Sequence, residues 1–139
     1  MKLFFTLTKK GLAVILASMI IILLASFWTL SLKYEYIDGS THEKRALYIK
    51  KLGYVVDEST ITAKEITIPS SFSSVYEKYN KLQNSADFDL YPYRGQKAVV
   101  YSYELQSSDK ILHLIICDGE IIGGDLSDVA VDGEMKPLQ

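Results

Sequence analysis

At 139 residues with a formal charge of −2, the chain can bury one small core and lacks the basic surface that phosphate binding demands, so composition excludes nucleic acid as a partner. Its single cysteine, Cys117, excludes an internal disulfide and leaves stability to packing. Nearly half the side chains, 48%, are apolar, and they are spread unevenly.

Residues 1–10 carry Lys2, Lys9 and Lys10. Gly11 to Leu32 then runs without a charged residue for about 22 positions, about 33 Å as a helix, which is one bilayer crossing. Lysines on the near side predict a cytoplasmic N-terminus and an extracytoplasmic remainder. A cleaved signal fits less well. The run is longer than the usual h-region of about 7 to 15 residues, and bulky Phe27, Trp28 and Leu30 stand where small residues precede cleavage. Trp28 suits the aromatic belt at a membrane surface, and no cysteine follows the run to take a lipid. Taking these three lysines from the 15 basic residues leaves 12 against 17 acidic ones in the outer part.

Residues 33–39 read as a juxtamembrane linker and 40–139 as one extracytoplasmic domain. Ser40 and Glu43 have capping-box spacing, so a helix is expected from there to about Leu52, ended by Gly53 in the left-handed conformation. Tyr54 to Val56 and Ala63 to Ile68 read as two strands that pair across a turn at Asp57-Glu-Ser59, the second stopped by Pro69. Ser73 or Ser74 caps a second helix through about Asn84, with Val75, Tyr79 and Leu82 at helical spacing.

A loop follows to Gly95, carrying Phe88, Leu90, Tyr91 and Tyr93. Three strands complete the pattern: Gln96 to Gln106, Ile111 to Asp118, and Glu120 to Leu126. Asp118-Gly119 is a tight-turn signal between the last two. Gly123 and Gly124 inside a strand mark a bulge or a close approach by another element. The order predicts an α+β fold: a transmembrane helix, then a two-layer domain with helices covering one face of a mainly antiparallel sheet.

Chemistry-bearing residues are few. His113 and Cys117 share a strand face but have no third ligand, and metal sites need three or four. They stand about 13 Å apart along an extended strand, too far for a thiol–imidazole pair. Cys117 beside Leu114, Ile115 and Ile116 reads as a buried filler. Neither a catalytic motif nor a cofactor motif is present.

Six of the ten tyrosines, Tyr76, Tyr79, Tyr91, Tyr93, Tyr101 and Tyr103, lie within residues 76–103. Tyr101 and Tyr103 are expected to fill the core, with Tyr76 and Tyr79 doing the same from the other side. In the loop, Phe88 and Leu90 are expected as buried plugs and Tyr91 and Tyr93 as partly exposed.

The segments Ile68-Pro-Ser-Ser-Phe72, Val75 to Gln83, Phe88-Asp-Leu90, Tyr93-Arg-Gly95, Tyr101-Ser-Tyr103 and Asp118-Gly-Glu-Ile-Ile-Gly-Gly-Asp125 together resemble domain-of-unknown-function family 4830. These are membrane-anchored proteins of Gram-positive anaerobes, and the resemblance covers residues 38–138. The chain departs from the pattern at Ala86-Asp87, where a Gly precedes the Phe-Asp-Leu, and at Glu134, where an aromatic follows Asp-Gly. The resemblance implies an exported single-pass protein and brings no activity, cofactor or catalytic residue.

The expected function is therefore a non-enzymatic binding or interaction module at the cell envelope. Tyr91, Tyr93 and Arg94 form its surface toward an envelope protein, peptide or glycan. An envelope hydrolase or thiol enzyme would need His42 or His113 within hydrogen-bond reach of Cys117 or a serine, beside an oxyanion donor. A structural accessory subunit of a membrane complex would carry a large exposed apolar patch.

Overall fold

The computed structural model describes residues 8–31, 35–129 and 134–138. Lys2 with the rest of 1–7, Leu32 at the end of the expected span, and Lys33 and Tyr34 of the expected linker lie outside the described residues.

The chain divides into two units after Glu35. In the first, α1 (Lys9–Ser31) is one continuous helix. Its stretch Lys9–Trp28 is long and apolar enough to cross a membrane, a property it shares with N-terminal signal sequences. Two of its serines bond back onto the helix: the Ser18 hydroxyl donates to the Ile15 carbonyl at 2.8 Å and Ser26 to Ile22 at 2.8 Å. That arrangement satisfies both of these hydroxyls within the helix.

The second unit contains α2 (His42–Lys51), β1 (Val56–Thr67), α3 (Ser74–Asn84), a 3-10 turn at Tyr91–Tyr93, β2 (Lys97–Leu105), β3 (Lys110–Cys117), β4 (Glu120–Asp128) and β5 (Met135–Pro137). The five strands form one antiparallel sheet in sequence order. Ile37 to Gly39, expected in the linker, belong to this unit. Gly39 N–H donates to the Gly119 carbonyl and Ile121 N–H to the Ile37 carbonyl, each at 2.8 Å.

α2 starts one residue later than its capping signal. Thr41 is the N-cap, accepting from Lys44 N–H, because Asp38 has captured Ser40 through both its N–H at 3.0 Å and its hydroxyl at 2.7 Å. Gly53 closes the helix at φ +86°, a conformation that suits glycine.

The expected hairpin between residues 54 and 68 is a single strand. Asp57 accepts from the Ser59 N–H and hydroxyl, which kinks the chain without reversing it. Both ends then find the same partner strand, Val56 opposite Leu105 and Thr62 opposite Ser102. The residues bulged out between them are anchored by Thr60, whose hydroxyl accepts the Glu104 N–H at 3.1 Å.

The helices do not share a face of the sheet. Strand alternation sends Tyr101, Tyr103, Leu112 and Leu114 to one face, where Ile49, Tyr48 and Leu52 from the α2 region join them. Ala98, Val100, Ile115 and Cys117 face the other way, against Tyr76 and Tyr79 of α3 together with Phe72 and Leu90. This replaces the expected two-layer arrangement. The physical sign is the sequence of β3, apolar at almost every position, as befits a strand buried on both sides.

Candidate functional site

α3 is capped by Ser73, which accepts the Tyr76 N–H, and bears Glu77 in its first turn and Lys81 in its last. Each charge complements the helix dipole. The helix is rotated from the orientation its apolar spacing suggests. Val75 is exposed, while Tyr76, Tyr79, Asn80 and Gln83 turn inward. The two buried amides are structural hooks. Asn80 Oδ1 accepts the Leu90 N–H at 2.8 Å and its Nδ2 donates to Asp89 at 3.0 Å. Gln83 Oε1 accepts the Gly124 N–H at 2.8 Å. The glycine pair does mark a close approach: a side chain at Gly123 would meet Gln83 Oε1 at 2.8 Å, and the β3–β4 register shifts there.

The loop after α3 is pulled inward by these hooks. Phe88 and Leu90 are buried, and Tyr91 is 38% exposed. Tyr91 is held on several sides. Its hydroxyl donates to Glu77 at 2.6 Å, its ring stacks on Phe72 with centroids 4.8 Å apart, and the Arg94 guanidinium lies 5.2 Å from the ring centre. Arg94 Nε also donates to the Tyr91 carbonyl at 3.1 Å. Tyr93 turns the other way, partly buried, and donates to Glu120 at 3.1 Å. Of the three predicted surface residues, then, Tyr91 and Arg94 form one exposed patch, and Tyr93 braces the loop against β4. The Glu77 carboxylate raises the Tyr91 phenol's pKa, so the phenol stays a hydrogen-bond donor.

A second polar cluster lies on the α3 face of the sheet, where sequence reasoning did not look. Ser102, His113 and Asp125 stand opposite one another across three strands. His113 is gripped by two hydroxyls, Ser102 at 2.7 Å on Nδ1 and Ser127 at 3.0 Å on Nε2. Tyr79 donates to Asp125 Oδ1 at 2.7 Å. Burial pushes the Asp125 carboxyl above the ordinary carboxylate range, opposed by the Tyr79 hydrogen bond and by His113. Burial and the neighbouring Asp125 charge push the Tyr79 phenol far up. Strand register was the missing signal, since residues 102, 113 and 125 become neighbours only once it is known.

Cys117 is buried, its thiol pKa raised by desolvation, and it donates to Gln96 Oε1 at 3.2 Å. His113 and Cys117 are thus engaged with different partners. His42 lies against Glu58 at 3.1 Å on the exposed side of α2. Among the described residues no three His, Cys, Asp or Glu side chains gather as a metal site.

A shallow groove of about 490 Å³ runs beside Glu65, Thr67, Lys97, Val99, Ile116 and Asp118, at the end of the sheet where β3 turns into β4. The tyrosines and His113 lie outside it. Across the sheet, Arg45 of α2 is buried, and among the described residues no carboxylate pairs with it. It donates to the Tyr103 hydroxyl at 3.1 Å and the Gly39 carbonyl at 2.8 Å, and lies 3.7 Å from the Tyr101 ring centre. The aromatic face and the carbonyl dipole stand in for a counterion. No family model, curated protein or solved structure matches this chain.

Proposed function

We propose that this chain is a single-pass membrane protein with its N-terminus in the cytoplasm, and that its folded unit is a non-enzymatic recognition module on the outer side of the cell envelope. Tyr91 and Arg94, braced by Tyr93, engage a peptide, a glycan or an envelope protein. The observation that carries this reading is the immobilised, solvent-facing Tyr91, stacked on Phe72 and tied to Glu77 and Arg94. A large amphipathic ring fixed before binding sacrifices little entropy when a partner arrives. The address rests on the apolar span of α1 with Lys9 and Lys10 at its start. The resemblance to domain-of-unknown-function family 4830 agrees with it.

Two experiments test the proposal. Protease added to intact protoplasts digests the folded unit if it is outside; survival there with digestion after lysis refutes the orientation. Peptide and glycan arrays probed with the full chain in nanodiscs give hits that Tyr91→Ala and Arg94→Ala abolish while both variants stay folded, their melting temperatures falling by no more than about 8 °C. Array binding indifferent to both substitutions refutes the surface.

A second reading, a serine hydrolase, is favoured by the 2.7 Å approach of Ser102 to His113. Against it, hydroxyls occupy both ring nitrogens, and the nearby Asp125 carboxylate bonds Tyr79. A fluorophosphonate probe that labels Ser102 or Ser127, and fails to do so in His113→Gln, would favour the hydrolase over the binding module.

A further inference from the structure

α3 carries Glu77, the anchor of the Tyr91 hydroxyl, and its own hold on the sheet runs through β4. Tyr79 donates to Asp125 Oδ1 at 2.7 Å, and one turn later Gln83 accepts the Gly124 N–H at 2.8 Å. Asp125 is 3% exposed, and among the described residues its second oxygen, Oδ2, has no hydrogen-bond partner; neither has the buried Gln83 Nε2. A charged carboxylate with an unpaired, buried oxygen is costly. The same seam is continuous with the exposed patch. Ring centroids step from Tyr79 to Tyr76 at 5.8 Å, to Phe72 at 4.6 Å and to Tyr91 at 4.8 Å.

We propose that Asp125 is the proton-binding site of a latch: with its carboxyl protonated α3 stays docked and the Tyr91 patch is held, and loss of the proton loosens α3 so that water reaches Oδ2. The regulatory meaning rests on the recognition role of Tyr91. Burial, the largest influence, raises the folded-state pKa of Asp125, and the Tyr79 bond and His113 oppose it. A carboxyl raised on folding adds most to stability below its unfolded pKa and loses that contribution as pH climbs through the folded one. The latch therefore loosens upward in pH, opposite to ordinary acid unfolding. The titratable groups facing Asp125 are Tyr79 on α3, with Tyr76 beyond it, and His113 opposite on β3. Pro137, opposite on β5, contributes none.

The test is hydrogen exchange of the α3 amides in the full chain in detergent micelles, between about pH 4 and pH 8, corrected for intrinsic rates. Protection of residues 74–84 is expected to fall by about tenfold across that range while β2 and β3 hold theirs. Asp125→Asn keeps an acceptor for Tyr79 and no charge, and its profile is expected to be flat. A flat wild-type profile, a slope that survives in Asp125→Asn, or one that vanishes in His113→Gln overturns the latch. If Asp125→Asn does not fold, Tyr79→Phe serves. It removes a bond that favours the carboxylate, so the fall in protection is expected at higher pH, and an unmoved fall overturns the proposal. Exchange is read with no ligand present, so failure of the arrays leaves this result standing and failure here leaves the arrays standing.

Discussion

Leu90 and Tyr91 are chain neighbours with opposite fates, and truncating each to Ala measures the division of labour in the loop. Leu90 is fully buried among Ile68, Ala98, Ile115, Cys117 and Ile122. Losing its branched end leaves a cavity against a rigid sheet, about 3 kcal/mol within the usual spread for such sites. A domain of this size shifts by roughly 4–8 °C per kcal/mol, so Leu90→Ala is expected to lower the melting temperature by about 12–24 °C. Tyr91→Ala forfeits the Phe72 stack and a hydrogen bond to Glu77 near the surface, about 1 kcal/mol together, hence about 4–8 °C. Thermal melts of the full chain in micelles, followed by far-UV circular dichroism, read both. Equal losses would make Tyr91 a core residue and remove the basis for the recognition surface. A Leu90→Ala loss as small as that expected for Tyr91→Ala would refute the plug.

Three further substitutions probe the fold. Arg45→Ala strands the Tyr103 hydroxyl and the Gly39 carbonyl in the core, and denaturant melts are expected to register a loss of about 2–4 kcal/mol. Gly124→Ala drives a Cβ into the His113 carbonyl and Leu138, and a loss of about 2–3 kcal/mol or failure to accumulate as folded protein is expected on expression and melting. Asp87 sits at φ +61° without being glycine, so Asp87→Gly is expected to be neutral or to raise stability by up to about 1 kcal/mol in the same melts, and Asp87→Val to lower it.

Asp87 also shows how far a sequence pattern reaches. Asp is among the few non-glycine residues that tolerate the left-handed conformation, and Asp87 adopts it at φ +61° in the turn after α3. Other local signals were equally legible. The apolar run of α1, Gly53 at the end of α2, Ser73 at the start of α3 and the Asp118-Gly119 hairpin turn each depend on the chemistry of a few adjacent residues. Phe88 and Leu90 were marked for burial beside Tyr91 by their hydrophobicity, although the Asn80 hook that holds Leu90 in place is not a local signal.

Tertiary structure decided whatever depends on partners distant in the chain. Asp57 and Ser59 make the same local bonds in a turn or in a kink, and only β2 lying alongside both flanks makes it a kink. The inward face of α3 departs from its apolar spacing because Asn80 and Gln83 are buried for the backbone groups they satisfy, at Leu90 and Gly124, and a polar residue's hydrophobicity says nothing about such a hook. Arg45 is buried for a like reason, its charge answered by Tyr101, Tyr103 and Gly39. Ser102, His113 and Asp125 became one cluster through strand register, which the 2-residue period of each strand leaves free to slide until both faces find their cores. Sequence determined the helices, the Asp118-Gly119 turn and the apolar span, because those follow from nearest neighbours; the sheet determined β1, β5 and the site, because burial and register are properties of the assembled chain.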